Sequence, residues 1–293
     1  MNLQSPYLRL IIATLIWGGN FVIGRAVSDQ LPPFVLSFCR WCTALLVLLP
    51  FAWRKLVSEK RVLQKNWLAI LLMSLTGIAG FNTLLYIALH YTTSINASLV
   101  FSTSPIVIAL LSLVLIKESL NKNLILGAFI SVIGVIYIIS QGSLATFTSL
   151  TFNPGDMIMI TAVLAWGLYA IIVRKYKELP AYSLLVSTIV TGIFILSPFF
   201  IWEMFYSGKE IIWSVSSILA VLYVGIFASI AAFILWNSAV IQLGPAKASI
   251  FLNLITVFAA IFAILFNNES LFWYQVLGGV LVIIGVRLST KVS

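Results

Sequence analysis

The sequence is short of charge. Only 9% of its 293 residues are Asp, Glu, Lys or Arg, against about 25% in an average soluble domain. A water-facing surface cannot be covered with so few, which excludes a soluble globular protein. Acidic residues are the scarcer sign, 8 Asp and Glu against 17 Lys and Arg, and none lies near the middle of an apolar run. That removes an obvious proton relay through membrane carboxylates, and a buried carboxylate for lipophilic cations. His90 is the single histidine, and Cys39 and Cys42 are the two cysteines. A metal centre needs a cluster of such ligands, and an intramembrane enzyme needs a reactive constellation. Neither can be assembled here, so no catalysis, metal or cofactor is expected. The C-x-x-C of Cys39 and Cys42 sits among Leu, Val and Phe, without the polar surroundings a redox or zinc site requires. It reads as two small apolar side chains.

Hydrophobic residues make up 61% of the chain, in long runs that do not alternate. About 20 apolar residues cross a bilayer as a helix, whereas barrel strands alternate polar and apolar over ~10 residues. The expected fold is an all-α polytopic membrane protein with the lipid bilayer as partner. Ten transmembrane helices are expected, near residues 8–28, 34–53, 67–90, 94–116, 123–140, 155–174, 182–203, 216–241, 246–267 and 272–289. The first run is too long for a signal peptide and no small-residue cleavage site follows it, so it is expected to stay. Net charge is +9, but its distribution does not point to nucleic acid. If the spans alternate, every basic residue except Arg25, Arg40 and Lys209 falls on one side. The positive-inside rule makes that side cytoplasmic and puts both termini there.

The chain repeats itself. "ESLNKNLILGAFISVIGV" at Glu118–Val135 and "ESLFWYQVLGGVLVIIGV" at Glu269–Val286 share a frame 151 positions apart. "WGGNFVIGR" from Trp17 faces "WGLYAIIVR" from Trp166. Two five-helix halves follow, residues 1–146 and 147–293. Five is odd, so the second half enters the membrane from the opposite face and the repeats are inverted. Secondary transporters are built this way, with their site near the midplane between repeats. The repeated glutamates fall at opposite membrane faces, away from such a site. Glu118 has Lys122 four residues on, the spacing of a helical ion pair.

Two halves with W-G early and E-S-L-x5-L-G-x5-I-G-V late resemble the EamA family of the drug/metabolite transporter superfamily. Pro32-Pro33 with Arg40, and the S-T-S-P before Ile106, add to the likeness. The resemblance implies a bacterial inner-membrane carrier, often an exporter of amino acids or other small metabolites. One departure is Thr256, which stands where the first half has Pro105 and puts a kink there in doubt.

Helical spacing selects candidate substrate contacts. Ser94, Ser98, Ser102, Pro105, Ala109 and Ser112 make a small or polar stripe, as do Ser249, Asn253, Thr256, Ala260 and Ala263. Such stripes suit close helix packing. Ser102, Asn253 and Thr256 near the midplane also suit a cavity wall, with Pro105 freeing a backbone carbonyl beside them. Asn20, Asn82 and Asn237 could hydrogen-bond a solute or a neighbouring helix. Trp17, Trp166, Trp236, Tyr86 and Tyr169 could wall a cavity or simply pack. Arg40 lies about 9 Å into its helix at 1.5 Å per residue. It either snorkels, pairs with protein groups, or meets a substrate carboxylate. The expected partner is therefore a small neutral or zwitterionic metabolite, moved by alternating access and exported. A broad drug or amphiphile exporter is the alternative within transport, and a structural or receptor-like membrane protein the alternative outside it.

Overall fold

The computed structural model describes residues 5–92, 94–149, 153–267 and 272–290. Glu269, and the side chains of Ser94, Ser98 and Ala263, lie outside the described residues. All regular elements among the described residues are helical. They run α1 (Pro6–Ala26), α2 (Pro33–Ser58), α3 (Trp67–Tyr91), α4 (Ser94–Ser102 and Ser104–Ile116), α5 (Lys122–Ile139) and α6 (Pro154–Lys175). Then come α7 (Ala181–Phe205), α8 (Val215–Leu243), α9 (Pro245–Ser249, a 3-10 turn Ile250–Asn253, and Leu254–Asn267) and α10 (Trp273–Thr290). Nine helices among the described residues are long and apolar enough to cross a bilayer, and Ser104–Ile116 is a shorter apolar helix.

Local chemistry sets the ends. Proline occupies the first helical turn of α1, α2, α6 and α9, where its missing N–H costs nothing. Asn121 caps α5 by accepting from Leu124 N at 2.7 Å. Asn153 and Asp156 form a reciprocal capping box on α6, satisfying donors that a helix start otherwise leaves unpaired.

The expected span 94–116 is interrupted at Thr103. Pro105 supplies no N–H to a continuing helix. The hydroxyls of Ser102, Thr103 and Ser104 turn back onto the carbonyls of Leu99, Val100 and Phe101, the local competition that loosens helices. In α9 the helix tightens into its 3-10 turn at Ile250–Asn253 without any proline. The irregularity that Thr256 put in doubt is present, just ahead of it.

Packing is by small residues. A Cβ on Gly127 would lie 2.5 Å from the Gly285 carbonyl oxygen, and one on Gly134 would lie 2.6 Å from that of Gly278. Rising number in α5 meets falling number in α10, so the two helices are antiparallel and touch backbone to backbone. Van der Waals contact of this kind drives helix association where lipid removes the hydrophobic incentive. Helices α2 and α7 are also antiparallel. Phe38 stacks on Phe200 at 4.1 Å and Phe34 on Phe199 at 5.1 Å. Glu203, at the end of α7, accepts from Phe34 N at 2.7 Å and Val35 N at 3.0 Å, so its carboxylate caps the start of α2. At the other end Glu59 accepts from Ser183 Oγ. Helix α1 lies against α8 and α9, while α6 lies against α3 and α4.

Glu118 does not pair with Lys122. Its Oε2 instead accepts from Ala246 N at 3.4 Å, at the start of α9 beside Gly244, whose φ is +86°. A side chain at Gly244 would collide with this carboxylate. The first turn of a helix offers unpaired N–H groups, which draw Glu118 more strongly than an exposed lysine.

Candidate functional site

Both α3 and α8 contain a widened π-helical stretch, Ser74–Gly80 and Val224–Ala231. Such turns leave carbonyls out of the regular ladder and recur at functional sites. Here side chains satisfy them. Asn82 Nδ2 donates to Gly77 O at 3.1 Å, and Ser229 Oγ to Val224 O at 2.8 Å, each five residues back. Arg40 of α2 reaches both. Its Nε donates to Ser229 Oγ at 2.8 Å. Its Nη1 donates to Asn82 Oδ1 at 2.7 Å and to Tyr86 Oη at 3.0 Å.

Arg40 is 0% exposed, so it does not snorkel. Neither ion pair among the described residues includes it. Its guanidinium carbon lies 5.0 Å from the Trp41 ring centroid, a favourable cation–π contact. Nη2 has no hydrogen-bond partner among the described residues. A buried cation held among the described residues by neutral groups, with its Nη2 idle, is costly. An anion brought to Nη2 would remove much of that cost.

Asn20, Tyr86, Tyr169 and Asn237 form two matching pairs. Tyr86 Oη, on α3, donates to Asn20 Oδ1 of α1 at 3.4 Å. Asn237 Nδ2, on α8, donates to Tyr169 Oη of α6 at 2.8 Å. Between the pairs lies an aromatic cluster. Trp17 meets Trp166 edge-on at 5.3 Å and Trp236 at 5.5 Å. Trp17 Nε1 donates to Ala228 O at 3.0 Å, while Nε1 of Trp166 and of Trp236 has no partner among the described residues.

Trp17, Asn20, Asn82 and Trp166 line a central cavity together with Phe21, Phe81, Phe101, Phe233, Leu252 and Ile255. Its volume is about 10 Å³, room for one water. Tyr169 and Asn237 line a second small cavity of about 20 Å³, with Thr188 and Tyr176. The structure is therefore closed around its centre.

Four predicted residues belong neither to the Arg40 cluster, nor to the aromatic cluster, nor to the lining of either cavity. Ser102 spends its hydroxyl on Leu99 O at 2.7 Å. Pro105 starts the second piece of α4. Asn253 Nδ2 donates to Ser131 Oγ of α5 at 2.9 Å and leaves its Oδ1 unpartnered, so one of its groups serves helix packing. Thr256 is half-buried on α9. Sequence reasoning missed Ser229, and it missed the phenylalanines. A hydroxyl inside the apolar run "VGIFASIA" was the available signal for Ser229; Phe in a membrane helix carries none.

Long apolar helices around a buried polar and aromatic centre define a multi-pass membrane protein. The model of the EamA-like transporter family matches residues 4–140 and again residues 153–291. The chain belongs to the EamA-like transporter family. An uncharacterized transporter of Archaeoglobus fulgidus is 32% identical, covering 98% of each chain. The uncharacterized transporter YyaM of Bacillus subtilis is 28% identical over 100% of this chain and 95% of its own. A solved crystal structure shares the fold at a TM-score of 0.79 and 18% identity, covering 98% of this chain and 96% of its own. The general role is transport.

Proposed function

We propose that the protein is a secondary carrier of a small neutral or zwitterionic, amino-acid-like metabolite, exporting it across the bacterial inner membrane by alternating access. Arg40 carries this reading. A buried guanidinium with an idle Nη2 and no carboxylate partner among the described residues suits a substrate carboxylate, which Arg binds in a charge-assisted pair. Asn82, Asn20 and Tyr86 supply neutral polar contacts beside it, and Trp17 and Trp166 supply apolar walls. Both termini are cytoplasmic in this reading, following the distribution of Lys and Arg.

The chain works as two inverted five-helix halves, 1–146 and 147–293, giving ten membrane crossings with α4 as a broken one. The antiparallel glycine contact of α5 with α10, the paired π-turns, and the pairs Asn20–Tyr86 and Tyr169–Asn237 support this arrangement. A cavity of about 10 Å³ admits no metabolite, so binding requires the halves to part. The aromatic lining also suits a flat amphiphile, the runner-up substrate. Proteoliposomes loaded with single labelled amino acids, with and without a pH gradient, test the reading by uptake and counterflow. Transport of at least one amino acid is expected; none with verified folded protein would overturn it.

A further inference from the structure

A groove of about 500 Å³ opens on the flank of the bundle, between the end of α2, the start of α3 and α7. It is far larger than either interior cavity and falls in the roughly 300–1,000 Å³ range of small-molecule sites. Its floor is apolar, with Leu63, Ile70 and Val190. Its rim is not: Lys60, Gln64 and Trp67 stand there, all exposed. The rim belongs to the short helix Lys60–Lys65 and the residues just after it. That helix buries Leu63 and exposes Arg61 and Lys65, so it lies as an amphipathic segment at the membrane boundary. Trp67 is 62% exposed, in keeping with an aromatic anchor at headgroup level.

The basic groups here have no anionic partner among the described residues. The ion pairs among the described residues are Lys177–Glu178 and Lys209–Glu203, so Lys60, Arg61 and Lys65 join none. The adjoining acidic side chain, Glu59, is turned to Ser183 Oγ across the α2–α7 contact. An apolar slot with an uncompensated cationic lip matches a molecule with an acyl chain and an anionic head. Basic pockets between membrane helices bind such headgroups.

We propose that this groove is a binding site for an anionic phospholipid, with one acyl chain against Ile70 and Val190 and the phosphate held by Lys60. The site is separate from the Arg40 centre and does not depend on what the protein transports. Lipid seated there wedges the start of α7 against α3.

Native mass spectrometry of the full chain tests it, with added phosphatidylglycerol or phosphatidylcholine of matched chains. The wild type should keep phosphatidylglycerol at collision energies that strip phosphatidylcholine. Lys60→Gln should lower phosphatidylglycerol retention at least fivefold, while Lys175→Gln, exposed elsewhere, should not. Lys60 is exposed, so the variant should fold; an unchanged melting temperature verifies this. Equal retention of the two lipids by the wild type, or full retention by Lys60→Gln, would overturn the proposal.

Discussion

Arg40 Nε donates to Ser229 Oγ at 2.8 Å across 189 positions of sequence. Through this bond and the one to Asn82, a single side chain of α2 holds the π-turns of α3 and α8 together. The centre of the protein is thus locked by one cation whose remaining donor is idle. A ligand that engages that cation acts on both turns at once.

Lysine cannot reproduce that geometry. Its ammonium is a point charge on a flexible stem, whereas guanidinium is a planar fork. Arg40→Lys should lower initial transport rates about tenfold or more, the loss of roughly 1.4 kcal/mol of substrate binding. Arg40→Gln should fall further. Rates in proteoliposomes compare the three proteins.

Ser229→Ala removes the acceptor from Arg40 Nε and the donor to Val224 O. The Nε N–H is then buried without a partner in addition to the idle Nη2, at a cost of about 1–3 kcal/mol. The melting temperature in detergent should drop. An unchanged melting temperature would mean that Arg40 does not bridge the two turns.

The α5–α10 contact tolerates no side chain at its glycines. Gly134→Val would drive a branched side chain into the Gly278 carbonyl and the backbone of Val282. Overpacking of this kind costs about 1–3 kcal/mol, and the variant should melt earlier than wild type under the same conditions.

Glu118 predicts a pH dependence. Burial, the largest influence, raises its carboxyl above the usual 4.5, against opposing effects that include the Ala246 N–H and the charge of Arg174. Just above 4.5 the folded chain keeps a proton that the unfolded chain has lost. The stability from this group is therefore full below 4.5 and is lost as pH rises through the folded value. Glu118→Gln should flatten the melting profile between 4.5 and neutrality. A profile parallel to wild type would contradict the assignment.

The membrane class and the helix positions were legible because apolar run length is a direct reading of the bilayer. Arg40, Asn82, Asn20 and Tyr86 were legible because polar side chains are conspicuous in apolar helices, and the geometry gathers all four. Ser229 was not, since membrane hydroxyls commonly bond their own helix. Neither were the π-turns, because an i→i+5 bond leaves no periodic mark in sequence. Asn253 shows the converse ambiguity. A midplane amide suits a cavity wall and an interhelical bond equally well, and only coordinates reveal Ser131 opposite it.

Arg40 is the proposed partner of a substrate carboxylate. Counterflow of a labelled amino acid in proteoliposomes, competed by the same amino acid and by its amide, tests this most directly. The acid should compete and the amide, which lacks the carboxylate, should not. Equal competition by the amide would contradict the account.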